Sequence, residues 1–153
     1  FITLPPMQRP RNYHSVALLL MDGRVLAGGG GLCGCAADHP DAEIYTPPYL
    51  LAPDGSPAPR PAITAAPAAA TWGSQIAVAT DRAVAAFALV RMAAATHSVN
   101  TDQRRIPLSF TGTAGSYQLG IPTNRGVVLP GNYMLFALDG NGVPSVARTI
   151  NIR

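Results

Sequence analysis

The residues of this chain best suited to metal chemistry are its three histidines and the tyrosine that precedes one of them: Tyr13-His14, His39 and His97. Two imidazoles and a phenolate form a nitrogen and oxygen donor set, which suits a tetragonal Cu(II) ion. Ca²⁺ or Mg²⁺ would call for clustered carboxylates, and the sequence offers no such cluster. Tyr13-His14 stands just before an apolar run, and His97 lies in a polar stretch, Thr96-His97-Ser98-Val99-Asn100-Thr101-Asp102-Gln103-Arg104-Arg105, between two apolar segments. His39 sits in a loop rich in Gly, Cys and Pro. Adjacent residues of a regular strand point to opposite faces, so Tyr13 and His14 can share one ion only where the backbone is irregular. Pro10 just upstream makes irregular backbone reasonable there. The compact ligand spacings of common metal motifs are absent. On spacing alone, therefore, a shared metal is the minority reading, and His14 reads as a packing residue and His97 as a loop histidine.

Other chemistries find less support. Ser15 and Ser98 each follow a histidine, but there is no Gly-x-Ser-x-Gly elbow. Gly28 to Gly31 lacks the spacing and following helix of a phosphate loop. Cys33-Gly34-Cys35 has too few partners for a zinc site. The pair reads either as a tight disulfide across Gly34, in an oxidising compartment, or as structural thiols.

The elements that must position these residues are β-strands. Ser15 to Met21 and Arg24 to Ala27 are apolar runs split by Asp22-Gly23, which predicts a hairpin with a type I′ turn. The unbroken apolar character of the first run predicts burial on both faces. Residues 41–50 predict a short edge strand ended by Pro47-Pro48. Residues 52–62, with four prolines and no periodicity, read as a semi-rigid connector and the best domain boundary. Beyond it, strands are expected at 75–80, 83–92, 106–110, 117–121, 131–138 and 143–152, the last introduced by the turn signal Asp139-Gly140-Asn141-Gly142. Propensity alone would make the Ala-rich 83–95 segment a helix, but Val84, Phe87 and Val90 favour a strand over 83–92. Six or seven strands in about 95 residues suit an immunoglobulin-like sandwich.

Composition excludes several classes. Charged residues are 12% of the chain and hydrophobic residues 48%, the opposite of a disordered chain. The net charge of +3 rests on arginine alone and is thinly spread, with Arg104-Arg105 the sole adjacent pair. Nucleic-acid binding wants a clustered basic face, so no nucleic-acid partner is expected. No apolar run approaches the roughly 20 residues of a membrane span. The chain opens Phe1-Ile2-Thr3-Leu4, without an initiator Met or a signal-peptide pattern, which suits a processed or excised piece.

Several segments together resemble the galactose oxidase and glyoxal oxidase family of copper-radical oxidases. Arg11 to Ser15, Leu18 to Leu20, Asp22 to Val25, Gly28 to Cys35 and Glu43 to Pro47 are similar to that family's last propeller blade. Leu89-Val90-Arg91, Ala95 to Leu108, Leu129 to Phe136 and Gly142 to Ser145 are similar to its C-terminal sandwich. The resemblance implies an all-β chain: the end of a kelch-type β-propeller (1–51), a Pro-rich linker (52–62), and an immunoglobulin-like E-set sandwich (63–153). It implies that Tyr13, His14 and His97 are ligands of Cu(2+), with Tyr13 accepting the substrate hydroxyl proton. The Tyr-Cys cross-linked radical cofactor would lie outside this chain, in a missing N-terminal propeller portion of the same protein or on a separate chain. The implied reaction oxidises a small primary alcohol, sugar or aldehyde with O2 and yields H2O2, in a secreted or cell-surface protein. The family's cysteine pair has two residues between its members, whereas Cys33 and Cys35 have one. The rival reading is a non-catalytic sandwich module that supports a propeller or binds polysaccharide.

Overall fold

The computed structural model describes residues 3–31, 37–97 and 99–153; Cys33 and Cys35, and with them the disulfide expectation, lie outside the described residues. The chain is all-β. Strands β1 (Ser15–Leu19), β2 (Val25–Gly29) and β3 (Ala42–Tyr45) form an antiparallel sheet in the order β1-β2-β3. The β1–β2 hairpin is not closed by a type I′ turn. Leu20 and Arg24 still pair across it (Leu20 N–H to Arg24 O, 2.8 Å), and Gly23 N–H donates to Leu20 O at 2.9 Å. Gly23 takes φ +83° while Asp22 stays out of the left-handed region. This three-residue loop asks positive φ of glycine alone, whereas type I′ would also impose it on Asp22. The Asp22 carboxylate instead accepts from the Arg24 N–H and from its Nε, at 3.0 and 2.7 Å. Nor is β1 buried on both faces: Ala17 is exposed and its neighbours are half-buried. β3 is an edge strand, as the proline pair predicts, and a short 3-10 turn, Pro48–Leu50, follows it.

The connector is pinned rather than loose. Ala58 is buried and donates to Leu50 O, while the Arg60 guanidinium donates to Pro144 O and Ser145 O, both at 2.7 Å. Beyond it come β4 (Ile63–Ala65), β5 (Ala69–Ala70), β6 (Gln75–Thr80), β7 (Ala86–Arg91), β8 (Arg105–Thr113), β9 (Ser116–Gly120), β10 (Gly131–Leu138) and β11 (Arg148–Ile152). They run in the order β4-β6-β9-β8-β7-β10-β11-β5. β8 joins the two halves: its first residues pair with β7 and its last with β9. The curled sheet thereby folds on itself around one core, with Ile76, Val78 and Leu119 from one half meeting Phe87, Leu89, Leu135 and Ile150 from the other.

Two short strands, β4 and β5, have too few residues for periodicity to show. The Ala-rich segment is strand, because β7 is flanked by β8 and β10 and buries Phe87 to Val90 in succession. The strand expected over 143–152 begins only at Arg148. Leu138 bridges Pro144, but Leu135 pairs with Arg148, so the register slips by one residue. A bulge absorbs the extra residue, and the Ala147 N–H turns away to Met21 O at 2.8 Å.

β10 serves two cores because successive side chains alternate faces. Tyr133, Leu135 and Ala137 enter the main core. Met134 and Phe136 join Val90 and Ala147 on the outer face, where Leu19 of β1 packs against them. This second cluster is the seam between the three-stranded sheet and the larger one.

Candidate metal centre

Tyr13 and His14 lie in a turn closed by Ser15 N–H to Asn12 O at 3.0 Å. His14 has φ +65°, a left-handed conformation that costs a non-glycine residue on the order of 1 kcal/mol or more. That backbone removes the objection that neighbours in a strand face opposite ways. Gly31 secures the turn from the far side: its N–H donates to Tyr13 O at 2.8 Å, and its carbonyl lies 2.9 Å from His14 Nδ1. A carbonyl only accepts, so His14 Nδ1 carries the hydrogen and Nε2 keeps its lone pair. Gly31 takes φ +106°, and a Cβ there would come within 2.6 Å of Ala37 O and of the Asp38 Cα. Glycine is required at this position.

Arg11 anchors the same segment. Its side chain is 2% exposed, pairs with Asp41 and Glu43 at 3.1 Å each, and donates to Gly29 O at 2.9 Å. The N–H groups of Gln8 and Arg9, together with Arg11, hold the Glu43 carboxyl below the usual carboxylate range despite some desolvation.

His97 arrives from the loop between β7 and β8. Thr96 and Val99 exchange two backbone hydrogen bonds, at 3.0 and 2.8 Å, and His97 takes φ +52° at the reversal. Its Nδ1 lies 2.7 Å from Thr96 Oγ1; with that hydroxyl as the acceptor, Nδ1 carries the hydrogen and Nε2 keeps its lone pair. The three rings meet. Tyr13 and His14 centroids are 4.0 Å apart, His14 and His97 4.7 Å, and Tyr13 and His97 5.6 Å. Two imidazoles on one ion at metal–nitrogen distances of about 2.0 Å would place their centroids about 4.4 Å apart at a right angle and about 6 Å apart when opposed. The observed 4.7 Å falls within that range, so the spacing of the two imidazoles suits one ion. Among the described residues no group of three or more His, Cys, Asp or Glu converges, and no carboxylate-rich site competes there. Tyr13 is 49% exposed, so one side of the trio faces solvent.

His39 is not in this group; its backbone N–H donates to Gly30 O. Ser15 begins β1 and forms no nucleophile elbow. Reading by residue type missed the Gly31 peptide, Thr96, and the Arg91–Asp102 pair at the base of the His97 loop. The glycine run was visible, but its use against Tyr13 and His14 depends on long-range contact.

Residues 60–152 match the family described as galactose oxidase-like, Early set domain. A galactose oxidase of Gibberella zeae is 50% identical over 145 residues, covering 93% of this chain and 21% of that protein. An aldehyde oxidase GLOX of Vitis pseudoreticulata is 35% identical over 169 residues, covering 99% of this chain and 32% of its own length. Among solved structures, a fungal alcohol oxidase described as showing catalytic diversity among the AA5 family, in complex with copper, superposes with a TM-score of 0.90 at 44% identity. That match covers 97% of this chain and 32% of the other. The chain thus spans between a fifth and a third of the length of these relatives.

Proposed function

The chain belongs to the galactose oxidase-like family, and on that footing we propose that it is the C-terminal part of a copper-radical oxidase. The observation that carries the proposal is the meeting of the Tyr13, His14 and His97 rings, contributed by two segments far apart in the chain. His14 and His97 would hold the ion through Nε2, each ring oriented by the oxygen at its Nδ1. Tyr13 Oη would be the third donor and the acceptor of the substrate hydroxyl proton. Copper, with a Tyr-Cys radical cofactor that we assign to the remainder of a longer protein, supplies the two-electron redox capacity of the site. The substrate is a primary alcohol or an aldehyde. In the alcohol case the substrate loses two electrons and two protons, one proton from its hydroxyl and one from its carbinol carbon, and O2 takes up the electrons and protons as H2O2. The three-stranded sheet in 1–51 is proposed as the last blade of a propeller, 52–62 as its linker, and 63–153 as the sandwich that delivers His97. Extracellular or cell-surface residence is part of the same proposal.

Copper titration and turnover test it together. The purified 153-residue chain should bind Cu(II) weakly and give neither a tyrosyl-radical signal nor peroxide; adding the missing portion should restore both. His97→Ala should weaken copper binding in either form. Unchanged copper affinity in His97→Ala would overturn the proposal and favour a non-catalytic module.

A further inference from the structure

His97 is held in a left-handed backbone conformation on a loop that buries almost nothing. No described residue from 92 to 105 is fully buried, and His97 and Val99 are exposed. Within this chain, therefore, apolar packing does not fix the ring against His14, and polar contacts are what hold the loop. Those contacts gather at the loop's base. Arg91, the last residue of β7, pairs through Nε with the Asp102 carboxylate at 3.0 Å. Asn100 Oδ1 accepts the N–H groups of Asp102 and Gln103, at 3.3 and 3.1 Å. Arg91 N–H donates to Arg104 O, and Met92 N–H to Asn132 O, so both ends of the loop are tied to the sheet.

The guanidinium itself sits in a slot. Gly131, at φ +136°, lies where a Cβ would come within 3.4 Å of Arg91 Nη2, so the absence of a side chain there leaves room for the guanidinium beside β10. Arg91 Nη1 is buried without a partner, which leaves Asp102 as the carboxylate that compensates this charge. We infer that the Arg91–Asp102 pair is the positioning element for His97, acting through the Asn100 turn to set the imidazole that completes the metal site. The inference rests on the copper reading above and deepens it.

Copper(II) titration with EPR of the bound ion tests this in Asp102→Asn, which keeps the side-chain size and the Asn100 turn but removes the charge. Loss of a partner bonded directly to a ligand weakens metal binding by about 10- to 100-fold; Asp102 acts one step removed from His97, so a loss toward the lower end, about tenfold, is expected. At saturating copper the nitrogen hyperfine pattern should shift from two imidazoles toward one. Asp54→Asn, at an exposed turn remote from the site, should change neither. Because the two members act as a unit, Arg91→Gln with Asp102→Asn should lose no more affinity than Asp102→Asn alone. An affinity and spectrum for Asp102→Asn equal to wild type would overturn the inference. His14→Ala and His97→Ala serve as controls: if these too leave copper binding intact, the copper reading itself fails, and if they abolish it while Asp102→Asn does not, only the positioning role fails.

Discussion

The seam between the two sheets should control copper affinity separately from overall stability, and two neighbouring residues of β10 can tell the effects apart. Phe136 is 5% exposed and faces the seam with Met134, Val90, Ala147 and Leu19. Leu135 is fully buried on the opposite face, in the main core. Burying an aromatic side chain of about 150–250 Å² at about 25 cal/mol/Å² corresponds to about 4–6 kcal/mol. Mutational experience places Phe→Ala at about 3–5 kcal/mol and Leu→Ala at about 2–5 kcal/mol. Phe136→Ala and Leu135→Ala should therefore lower unfolding free energy by similar amounts, read from urea unfolding of the single tryptophan, Trp72. Their effects on copper should differ. Tyr13 and His14 ride on the small sheet and His97 on the large one, so weaker docking must be restored when the metal binds. If about 1.4 kcal/mol of the Phe136 loss falls on docking, copper affinity drops about tenfold. In Leu135→Ala, measured calorimetrically at a temperature where both variants are folded, copper affinity should stay at the wild-type value. Equal copper losses in both variants, or none in Phe136→Ala, would refute the claim that this seam sets the distance between His14 and His97.

Two further outcomes follow from the structure. Gly31→Ala places a Cβ against Asp38 and Ala37 in a left-handed conformation, so it should displace the peptide that grips Tyr13 and His14 and weaken Cu(II) binding about 10- to 100-fold; calorimetry would show it, and wild-type affinity would contradict it. Burial tends to raise the Asp22 carboxyl, but hydrogen bonds from the Arg24 backbone and guanidinium, with the charge of Arg60, bring it below its ordinary 3.8. A depressed carboxylate contributes stability that is full above the unfolded value and lost as pH falls through the folded one. Asp22→Asn should thus cost about 0.2–1 kcal/mol at pH 7, and the gap in urea midpoint should close below about pH 4; a gap independent of pH would contradict this.

What could be read from sequence was whatever repeats locally. The alternation in β6 places Ile76, Val78 and Thr80 inward, and the two-faced apolar pattern of β10 marks a strand buried on both sides. The strand state of the Ala-rich β7 was legible from Val84, Phe87 and Val90, against propensity. The resemblance singled out Tyr13, His14 and His97, which spacing alone left as ordinary residues.

The tertiary structure decided the rest. Cross-strand register chose the Asp22-Gly23 turn type and the bulge before Arg148, since a slip of one residue is settled by the partner strand. β8 serves both halves of the sheet because its neighbours change along its length. The ring trio depends on left-handed backbone at His14 and His97. Non-glycine residues adopt that conformation only where surrounding contacts impose it. Those contacts, the Gly31 peptide and the Arg91–Asp102 pair among them, come from parts of the chain that local pattern does not connect.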